Sequence, residues 1–291
     1  MINRRLFLKT AMLGSVATIA NGSVQAVTEV LPEDKWIGSI QQETFHLFLL
    51  MGQSNMAGYG ELLPEDDKDI EGAYMLREGE TRMGKYGWVP AKQPIHNRLD
   101  SDRFCLGGPF AKAHRELYPR ITVGLIPMGW GGAAITDMNK GTPFYEEMID
   151  KAVWAKKQGR LKALLWHQGE SDTVSEEAAG LYESRLIRLI EDIRTDLNEP
   201  DLKVIIGNLA EFYGTGADHS APQRVKQINI VKDSLHHVSE KLSNVGFVES
   251  KGLRSIDHHQ VHFDRESYII FGKRYLDVYW TMINQKSNEV I

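Results

Sequence analysis

The chain of 291 residues has a single cysteine, Cys105, and no apolar run as long as a membrane span requires. One cysteine cannot form an intramolecular disulfide, and without a CxxC partner Cys105 is interpreted as a small buried apolar residue. The net charge of -5, with basic residues spread along the chain, excludes the positive surface that nucleic-acid binding needs. The sequence also contains neither a GxxxxGK[ST] nor a GxGxxG phosphate-binding motif.

The first 26 residues have the pattern of an export signal. Arg4 and Arg5 precede a Leu-Phe-Leu step, residues 10–20 are modestly apolar, and the stretch ending at Ala26 offers small residues for cleavage. The pattern resembles a bacterial twin-arginine signal, with an ordinary secretory signal or a basic amphipathic helix as the alternative. The apolar run is well short of the ~20 residues that a membrane span needs. We therefore expect a periplasmic or secreted protein with no stable membrane insertion after cleavage.

Short apolar segments alternate with helical patterns along the rest of the chain. The predicted strands are residues 44–51, 121–127, 161–166, 202–207 and 245–248, and the predicted helices are residues 109–117, 143–158, 175–196, 222–242 and 265–283. This alternation predicts a three-layer α/β/α sandwich around a doubly wound, mainly parallel five-stranded sheet. One such domain is expected over residues 44–285, after a lead-in segment at residues 27–43. Residues 62–103, charged and weakly periodic, are expected to form a surface insertion that either shapes a cleft or is an ordinary solvated loop.

A serine follows the first predicted strand. Ser54 stands in the segment GQSNMAG, and ligands of open parallel sheets bind at the carboxyl ends of the strands. A turn from strand to helix can expose the Oγ of a nucleophile and aim its N–H at a developing oxyanion. An N-cap serine that opens a helix is the alternative.

Further polar groups follow the second and third predicted strands. The third is followed by the Gln168 amide, a candidate oxyanion donor, and by Glu170 and Asp172, either of which could orient a histidine. Alternatively, the two carboxylates cap the next helix. After the second strand, residues 127–133 (PMGWGGA) are rich in glycine, so backbone N–H groups could approach a ligand closely, or the segment is only a tight turn.

A serine nucleophile needs a general base, and His262 is the leading candidate by position. It lies in the loop between the last predicted strand and the last helix, from which it could reach the strand ends. A surface histidine without a catalytic role is the alternative.

These segments, in this order, resemble the SGNH hydrolase superfamily, and in particular its acetylxylan esterase and sialate O-acetylesterase group. The matching segments are GQSNMAG, GGPFAKA, IPMGWGGAAI, GTPFYEEMIDKA, LLWHQGESD and VHFD, which run through residues 44–279. The resemblance implies an α/β/α domain that hydrolyses acetyl esters on carbohydrates without a metal or another cofactor.

The resemblance also implies a role for each matched residue. Ser54 would attack the acetyl carbonyl, and His262 would take the serine proton and pass it to the departing sugar hydroxyl. The oxyanion would be held by the Ser54 N–H, by an N–H of Gly131 or Gly132, and by the Gln168 amide.

One position departs from the family pattern. The usual Asp three residues before the histidine is replaced by His259. Glu170 is predicted to supply the missing carboxylate, with Asp257 as the alternative acid and a dyad without an acid as a third arrangement. The neighbouring histidines, including His258, also suggest metal ligands, but the sequence lacks a second ligand set at a characteristic spacing.

The sequence thus predicts an exported serine esterase that acts on an acetylated carbohydrate such as acetylxylan. A sialate O-acetylesterase is the alternative enzyme, and a non-catalytic carbohydrate-binding protein on the same scaffold is the alternative from another class. Trp88, Trp130 and Tyr59 are candidate aromatic platforms for sugar, although each could instead be a packing residue.

Overall fold

Strands and helices alternate along the chain, as the sequence pattern predicts. The computed structural model describes residues 40–81, 84–98, 103–217 and 219–285, so the predicted export signal at residues 1–26 and most of the lead-in lie outside the described residues. The strands are β1 (Phe45–Gly52), β2 (Ala73–Thr81), β3 (Gly84–Pro90), β4 (Thr122–Gly129), β5 (Arg160–His167), β6 (Lys203–Gly207) and β7 (Val245–Val248). The helices are α1 (Ser54–Ala57), α2 (Gly107–Leu117), α3 (Pro143–Lys156), α4 (Glu176–Asp196), α5 (Pro222–Lys241) and α6 (Arg265–Gln285).

The strands form one sheet in the order β3-β2-β4-β1-β5-β6-β7. Every neighbouring pair is parallel except β2 and β3, which form an antiparallel pair at one edge. The prediction of a mainly parallel, doubly wound sheet is confirmed, but the predicted count of five strands is wrong because the sheet has seven.

Both additional strands lie in the segment that was expected to be a surface insertion. β2 pairs in parallel with β4 and carries the charged residues Arg77 and Glu78 beside the buried Met75 and Leu76. Strands near the edge of a sheet are covered on fewer sides, so their sequences mix charged and apolar residues and give no continuous apolar run. Strands β2 and β3 therefore extend the sheet rather than protrude from it.

Aromatic contacts show how helices cover both faces of the sheet. Phe48 of β1 packs on one face against Phe110 of α2 and Tyr279 of α6, with ring centroids 4.8 and 5.3 Å apart. On the other face, Phe45 contacts Trp88 at 5.0 Å, and Trp88 in turn lies 6.2 Å from Trp154 of α3. Because side chains alternate between the faces along a strand, these contacts define a three-layer α/β/α sandwich.

Trp88 has a place in the core rather than at a ligand site. Only 3% of it is exposed, so the expectation that it forms an aromatic platform for sugar is wrong. Cys105 is fully buried, as its interpretation as a small apolar residue requires. No helix among the described residues is long and apolar enough to cross a membrane.

The register of the central strands brings together the segments that contain the candidate site residues. Gly52, the last residue of β1, pairs with Gly129 at the end of β4 and with His167 at the end of β5. The segments that follow these three residues therefore begin side by side at the carboxyl edge of the sheet, where ligands of such folds bind.

Candidate active site

Ser54 and His262, which are 208 residues apart in sequence, meet at this edge of the sheet. Ser54 is the first residue of α1 and is 6% exposed, and its Oγ lies 3.0 Å from Nε2 of His262. This is hydrogen-bond distance between a hydroxyl and an imidazole nitrogen, the arrangement in which a histidine can remove a serine proton.

Glycines allow the chain to make this turn. A Cβ placed on Gly52 would collide with the carbonyl oxygen of His167, so β1 and β5 can approach closely only with glycine there. Gly58, just after α1, has a φ of +105°, and a Cβ there would lie 2.6 Å from the Cβ of Cys105. Both positions therefore require glycine, and together they leave room for the short helix that carries Ser54.

The amide before the serine joins the nucleophile to the segment after β5. Oε1 of Gln53 lies within hydrogen-bond distance of the Gly169 N–H at 3.3 Å, the Ser171 N–H at 3.2 Å and the Gln168 amide nitrogen at 3.1 Å. Gln53 thus fixes the position of residues 168–171 relative to Ser54.

The amide after the serine holds the loop that carries His262. Nδ2 of Asn55 donates to the carbonyl oxygen of Val261 at 3.0 Å, and Oδ1 accepts from the N–H of Phe263 at 3.3 Å. The same Oδ1 accepts from the hydroxyl of Tyr268 at 2.8 Å. The fully buried side chain of Asn55 therefore forms hydrogen bonds to the backbone on both sides of His262.

Glu170, predicted as the acid behind His262, is bonded elsewhere. Its Oε1 accepts from Nδ2 of Asn55 at 2.6 Å and lies 3.6 Å from Nε2 of His167. Burial by itself would raise the pKa of Glu170, but His167 and the Asn55 amide favour the charged form and bring the pKa below its ordinary value. The prediction of a direct Glu170 to His262 contact is wrong, because Oε1 is bonded to Asn55 and Oε2 has no hydrogen-bond partner among the described residues.

The alternative acid, Asp257, does not contact His262 either. Its Oδ1 accepts from the backbone N–H of His259 at 3.0 Å, within the same loop. Across the described parts of the chain, Nδ1 of His262 has no hydrogen-bond acceptor, and the imidazole instead lies flat against Tyr59. These contacts correspond to the third arrangement that the sequence left open, a serine–histidine pair with no carboxylate bonded to the histidine.

Burial favours the neutral form of His262. Burial lowers its pKa from the ordinary value of 6.5, and the charges of Glu170 and Asp257 offset this only in part, while His259 lowers the pKa further. A neutral imidazole can accept a proton at neutral pH, which a general base has to do. Among the described residues, no group of three or more His, Cys, Asp or Glu side chains could hold a metal ion.

Gln168, predicted as an oxyanion donor, uses its amide within the protein. Nε2 lies within hydrogen-bond distance of three acceptors, which are Oδ2 of Asp172 at 2.6 Å, the carbonyl oxygen of Ala133 at 3.1 Å and Oε1 of Gln53 at 3.1 Å. These three acceptors within the protein share the two amide hydrogens of a fully buried side chain, so the prediction for Gln168 is corrected to a structural contact. Asp172 also accepts from the N–H of Ile135 at 2.9 Å, and burial raises its pKa.

The alternative role of the two carboxylates as helix caps is also wrong. The N-cap of α4 is Ser175, whose Oγ accepts from the N–H of Ala178 at 3.1 Å. Glu170 and Asp172 are instead 4% and 1% exposed and belong to the buried contacts between the segments.

The three backbone N–H groups that were predicted as oxyanion donors are free to bind a ligand. The N–H groups of Ser54, Gly131 and Gly132 make no hydrogen bond to another residue in the described ranges. The glycine loop itself is held in place, because Trp130 N–H donates to Gly52 at 2.9 Å and the carbonyl oxygen of Gly132 accepts from Ser171 Oγ at 2.9 Å. Unpaired N–H groups on a fixed loop are suited to stabilise negative charge on a ligand oxygen.

Comparisons with known proteins identify the family of the chain. The sequence model of the family described as carbohydrate esterase, sialic acid-specific acetylesterase, matches residues 44–281. A probable carbohydrate esterase of Arabidopsis thaliana is 31% identical over 240 residues, which are 78% of this chain and 86% of the relative. The crystal structure of that Arabidopsis protein aligns with a TM-score of 0.67 and 30% identity over 81% of this chain and 98% of the other.

Two further solved structures share the fold at lower identity. NanS aligns with a TM-score of 0.67 and 15% identity, over 84% of this chain and 99% of NanS. A carbohydrate acetylesterase from Xanthomonas citri aligns with a TM-score of 0.56 and 17% identity, over 82% of this chain and 56% of the other. The predicted SGNH-type fold is thus confirmed. The chain belongs to the family of carbohydrate esterases described as sialic acid-specific acetylesterases, and it is a carbohydrate O-acetylesterase.

Proposed function

We propose that the enzyme hydrolyses O-acetyl esters of acetylxylan or a related polysaccharide or oligosaccharide through an acetyl-enzyme intermediate on Ser54. The observation that carries this proposal is the 3.0 Å contact between Ser54 Oγ and Nε2 of the half-buried His262, whose pKa is lowered by burial. Nε2 takes the serine proton as Oγ attacks the acetyl carbonyl, and it returns that proton to the sugar oxygen as the C–O bond breaks. Water, deprotonated by the same nitrogen, then attacks the acetyl-enzyme, and Nε2 returns this proton to Ser54 Oγ as acetate leaves.

The tetrahedral intermediate formed in each half-reaction carries a negative oxygen. In the proposed site, this oxygen accepts hydrogen bonds from the Ser54 N–H and from Gly131 or Gly132. Because these donors are backbone groups fixed before substrate arrives, they need no reorganisation when the charge develops. One such donor is typically worth about 3 kcal/mol of transition-state stabilisation.

The pairing of Arg98 with Glu147, near the glycine loop, supports an uncharged sugar as the substrate. Arg98 lies over the Trp130 ring at 5.6 Å, but its Nη1 is 2.9 Å from both carboxylate oxygens of Glu147. A guanidinium that is already paired is a poor partner for a sugar carboxylate. The Trp130 ring is held by Phe144 at a 22° interplanar angle, and because Trp130 is only half-buried, its exposed part is the proposed contact for the sugar ring.

A sialate O-acetylesterase is the second candidate, because the description of the matching family names sialic acid. Acetate release should be measured with acetylated xylan, acetylated monosaccharides and O-acetylated sialic acid. We expect the neutral substrates to give the higher kcat/KM. A preference for O-acetylated sialic acid would transfer the proposal to the second candidate.

The reaction itself is tested with p-nitrophenyl acetate, which needs no sugar subsite. Wild type should release p-nitrophenol and Ser54→Ala should not exceed the buffer rate. Equal, slow release by both proteins would support the non-catalytic carbohydrate-binding alternative.

We also propose that the enzyme is exported by the twin-arginine route and acts in the periplasm or outside the cell. The support is the sequence of residues 1–26. Replacement of both Arg4 and Arg5 by lysine should retain the uncleaved chain in the cytoplasm, as followed by fractionation and N-terminal sequencing. Unchanged processing after Ala26 would point to an ordinary secretory signal.

A further inference from the structure

A tyrosine ring lies parallel to the imidazole of the proposed base. The ring centroids of Tyr59 and His262 are 3.7 Å apart and their planes differ by 7°. Both side chains are half-buried. At this distance and angle the whole face of the imidazole is covered, which restricts rotation of the ring about its Cβ–Cγ bond.

Backbone hydrogen bonds hold the chain in place on both sides of Tyr59. The N–H of Gly58 donates to the carbonyl oxygen of Ser54 at 2.8 Å. On the other side, Gly60 and Phe104 exchange two backbone hydrogen bonds, both of 3.1 Å. Tyr59 is thus tied to the nucleophile through one neighbour and to the start of α2 through the other.

In a serine–histidine–carboxylate triad, the acid orients the imidazole and stabilises the imidazolium that forms when the serine loses its proton. His262 has no such partner at Nδ1 among the described residues. An aromatic face can serve both purposes, because it fixes the plane of the ring and attracts a cation placed over it.

We propose that Tyr59 is a positioning residue that replaces the missing acid by stacking on His262. This inference rests on the proposed serine esterase function. Tyr59 holds the imidazole plane so that Nε2 faces Ser54 Oγ, and its ring stabilises the imidazolium during both half-reactions. Its hydroxyl has no part in this role, so phenylalanine should replace tyrosine.

The charged groups that act on the pKa of His262 are unchanged by substitutions at Tyr59, since Glu170 and Asp257 still raise it and His259 still lowers it. Burial, the largest cause of the lowered pKa, depends in part on the side chain at position 59. Leucine is therefore chosen because it keeps an apolar neighbour against the imidazole while removing the aromatic face. The expected change is therefore a lower pKa of His262, because the protonated ring loses the π face that favours it.

The test compares Tyr59→Phe and Tyr59→Leu with wild type, using p-nitrophenyl acetate as the substrate. Tyr59→Leu should lower kcat about tenfold with KM changed less than about twofold, and should move the acid limb of kcat/KM to lower pH. Tyr59→Phe should keep kcat within about twofold of wild type and leave the acid limb in place. The matched control is Tyr74→Leu, since half-buried Tyr74 contacts Phe45 at the opposite end of the sheet.

Proton NMR gives a second readout that is independent of turnover. The ring protons of His262, assigned by their loss in His262→Gln, should be shifted upfield by the tyrosine ring current in wild type and in Tyr59→Phe. This shift should vanish in Tyr59→Leu. An unshifted His262 resonance in wild type would overturn the proposal.

Three kinetic outcomes would also overturn it. These are an unchanged kcat in Tyr59→Leu, an equal loss in both variants, which would assign the role to the hydroxyl, and an effect on KM alone, which would make Tyr59 a substrate contact. Failure of the esterase proposal is recognised separately, because wild type would then be no faster than Ser54→Ala.

Discussion

Asn55 and Glu170 are joined by a buried hydrogen bond of 2.6 Å between the amide nitrogen of one and a carboxylate oxygen of the other. The same amide nitrogen donates to the carbonyl oxygen of Val261, next to His262. The carboxylate therefore acts on the histidine loop through an intermediate side chain. A buried amide that must satisfy several partners fixes its own orientation, and it fixes the loop that it binds.

Replacement of Asn55 by alanine should therefore impair both stability and catalysis. The change removes the hydrogen bond that holds the His262 loop at Val261. It also leaves the buried Glu170 carboxylate without its amide donor. We expect the free energy of unfolding to fall by about 2–3 kcal/mol, from an unsatisfied buried group, as measured by urea denaturation. Because a small displacement of the base is costly, kcat should fall about 100-fold.

The matched control for that variant is Asn284→Ala. Asn284 donates to the carbonyl oxygen of Trp280 in the last turn of α6, at the other end of this helix from the loop that carries His262. Its loss should change kcat by less than about twofold. If Asn55→Ala retained wild-type kcat, the hydrogen bonds of Asn55 to the His262 loop would have no catalytic importance.

Removal of either candidate acid should have a modest effect. Glu170→Gln keeps an acceptor for Asn55 but removes a charge that raises the pKa of His262. The acid limb of kcat/KM should therefore move to lower pH, and kcat should fall less than about tenfold, against the loss of about 10⁴ expected for a true triad acid. Asp257→Asn should have the same direction of effect. A loss of three orders of magnitude in either variant would identify that residue as an acid in contact with His262 during catalysis.

The central strands and all five long helices follow from periodicity, because each buried strand is a continuous apolar run and each helix has a clear start. β7 at Val245–Val248 agrees with its predicted residues. The pair β2 and β3 could not be found in this way, since Arg77 and Glu78 interrupt the apolar pattern of β2 where the sheet is partly exposed. Edge strands acquire their stability from pairing with a neighbour, which local sequence does not record.

The serine and the histidine could be located by position, but the network between them could not. The signal was present in the two amides that flank Ser54, because polar side chains in a buried turn must have partners. Sequence alone does not say which partners these are. Asn55 and Glu170 are 115 residues apart, and their contact is decided by the register of β1 and β5. The stacking of Tyr59 on His262 depends in the same way on a turn geometry that no motif describes.

The stability of the protein should depend on the ionisation of Glu170. Its pKa is lower in the folded protein than the ordinary value of 4.5, although burial opposes this, so the folded state binds a proton less readily than the unfolded chain. The contribution to the free energy of unfolding is therefore complete above pH 4.5 and is lost as the pH falls through the lower folded pKa. Urea denaturation across this range should show a steeper loss in wild type than in Glu170→Gln. Parallel curves for the two proteins would contradict this assignment.

Gln168 should prove to be a structural partner of Asp172 rather than an oxyanion donor. Gln168→Met removes the 2.6 Å hydrogen bond to a buried carboxylate, so the free energy of unfolding should fall by about 1–3 kcal/mol. The effect on kcat should stay below about tenfold, whereas loss of an oxyanion donor would cost about 100-fold or more.

The double variant Gln168→Met with Asp172→Ala removes both partners of this hydrogen bond, so neither partner remains buried without the other. The destabilisation should therefore be smaller than the sum of the single variants by about 1 kcal/mol. Additive destabilisation together with a large loss of kcat in Gln168→Met would instead identify the Gln168 amide as an oxyanion donor.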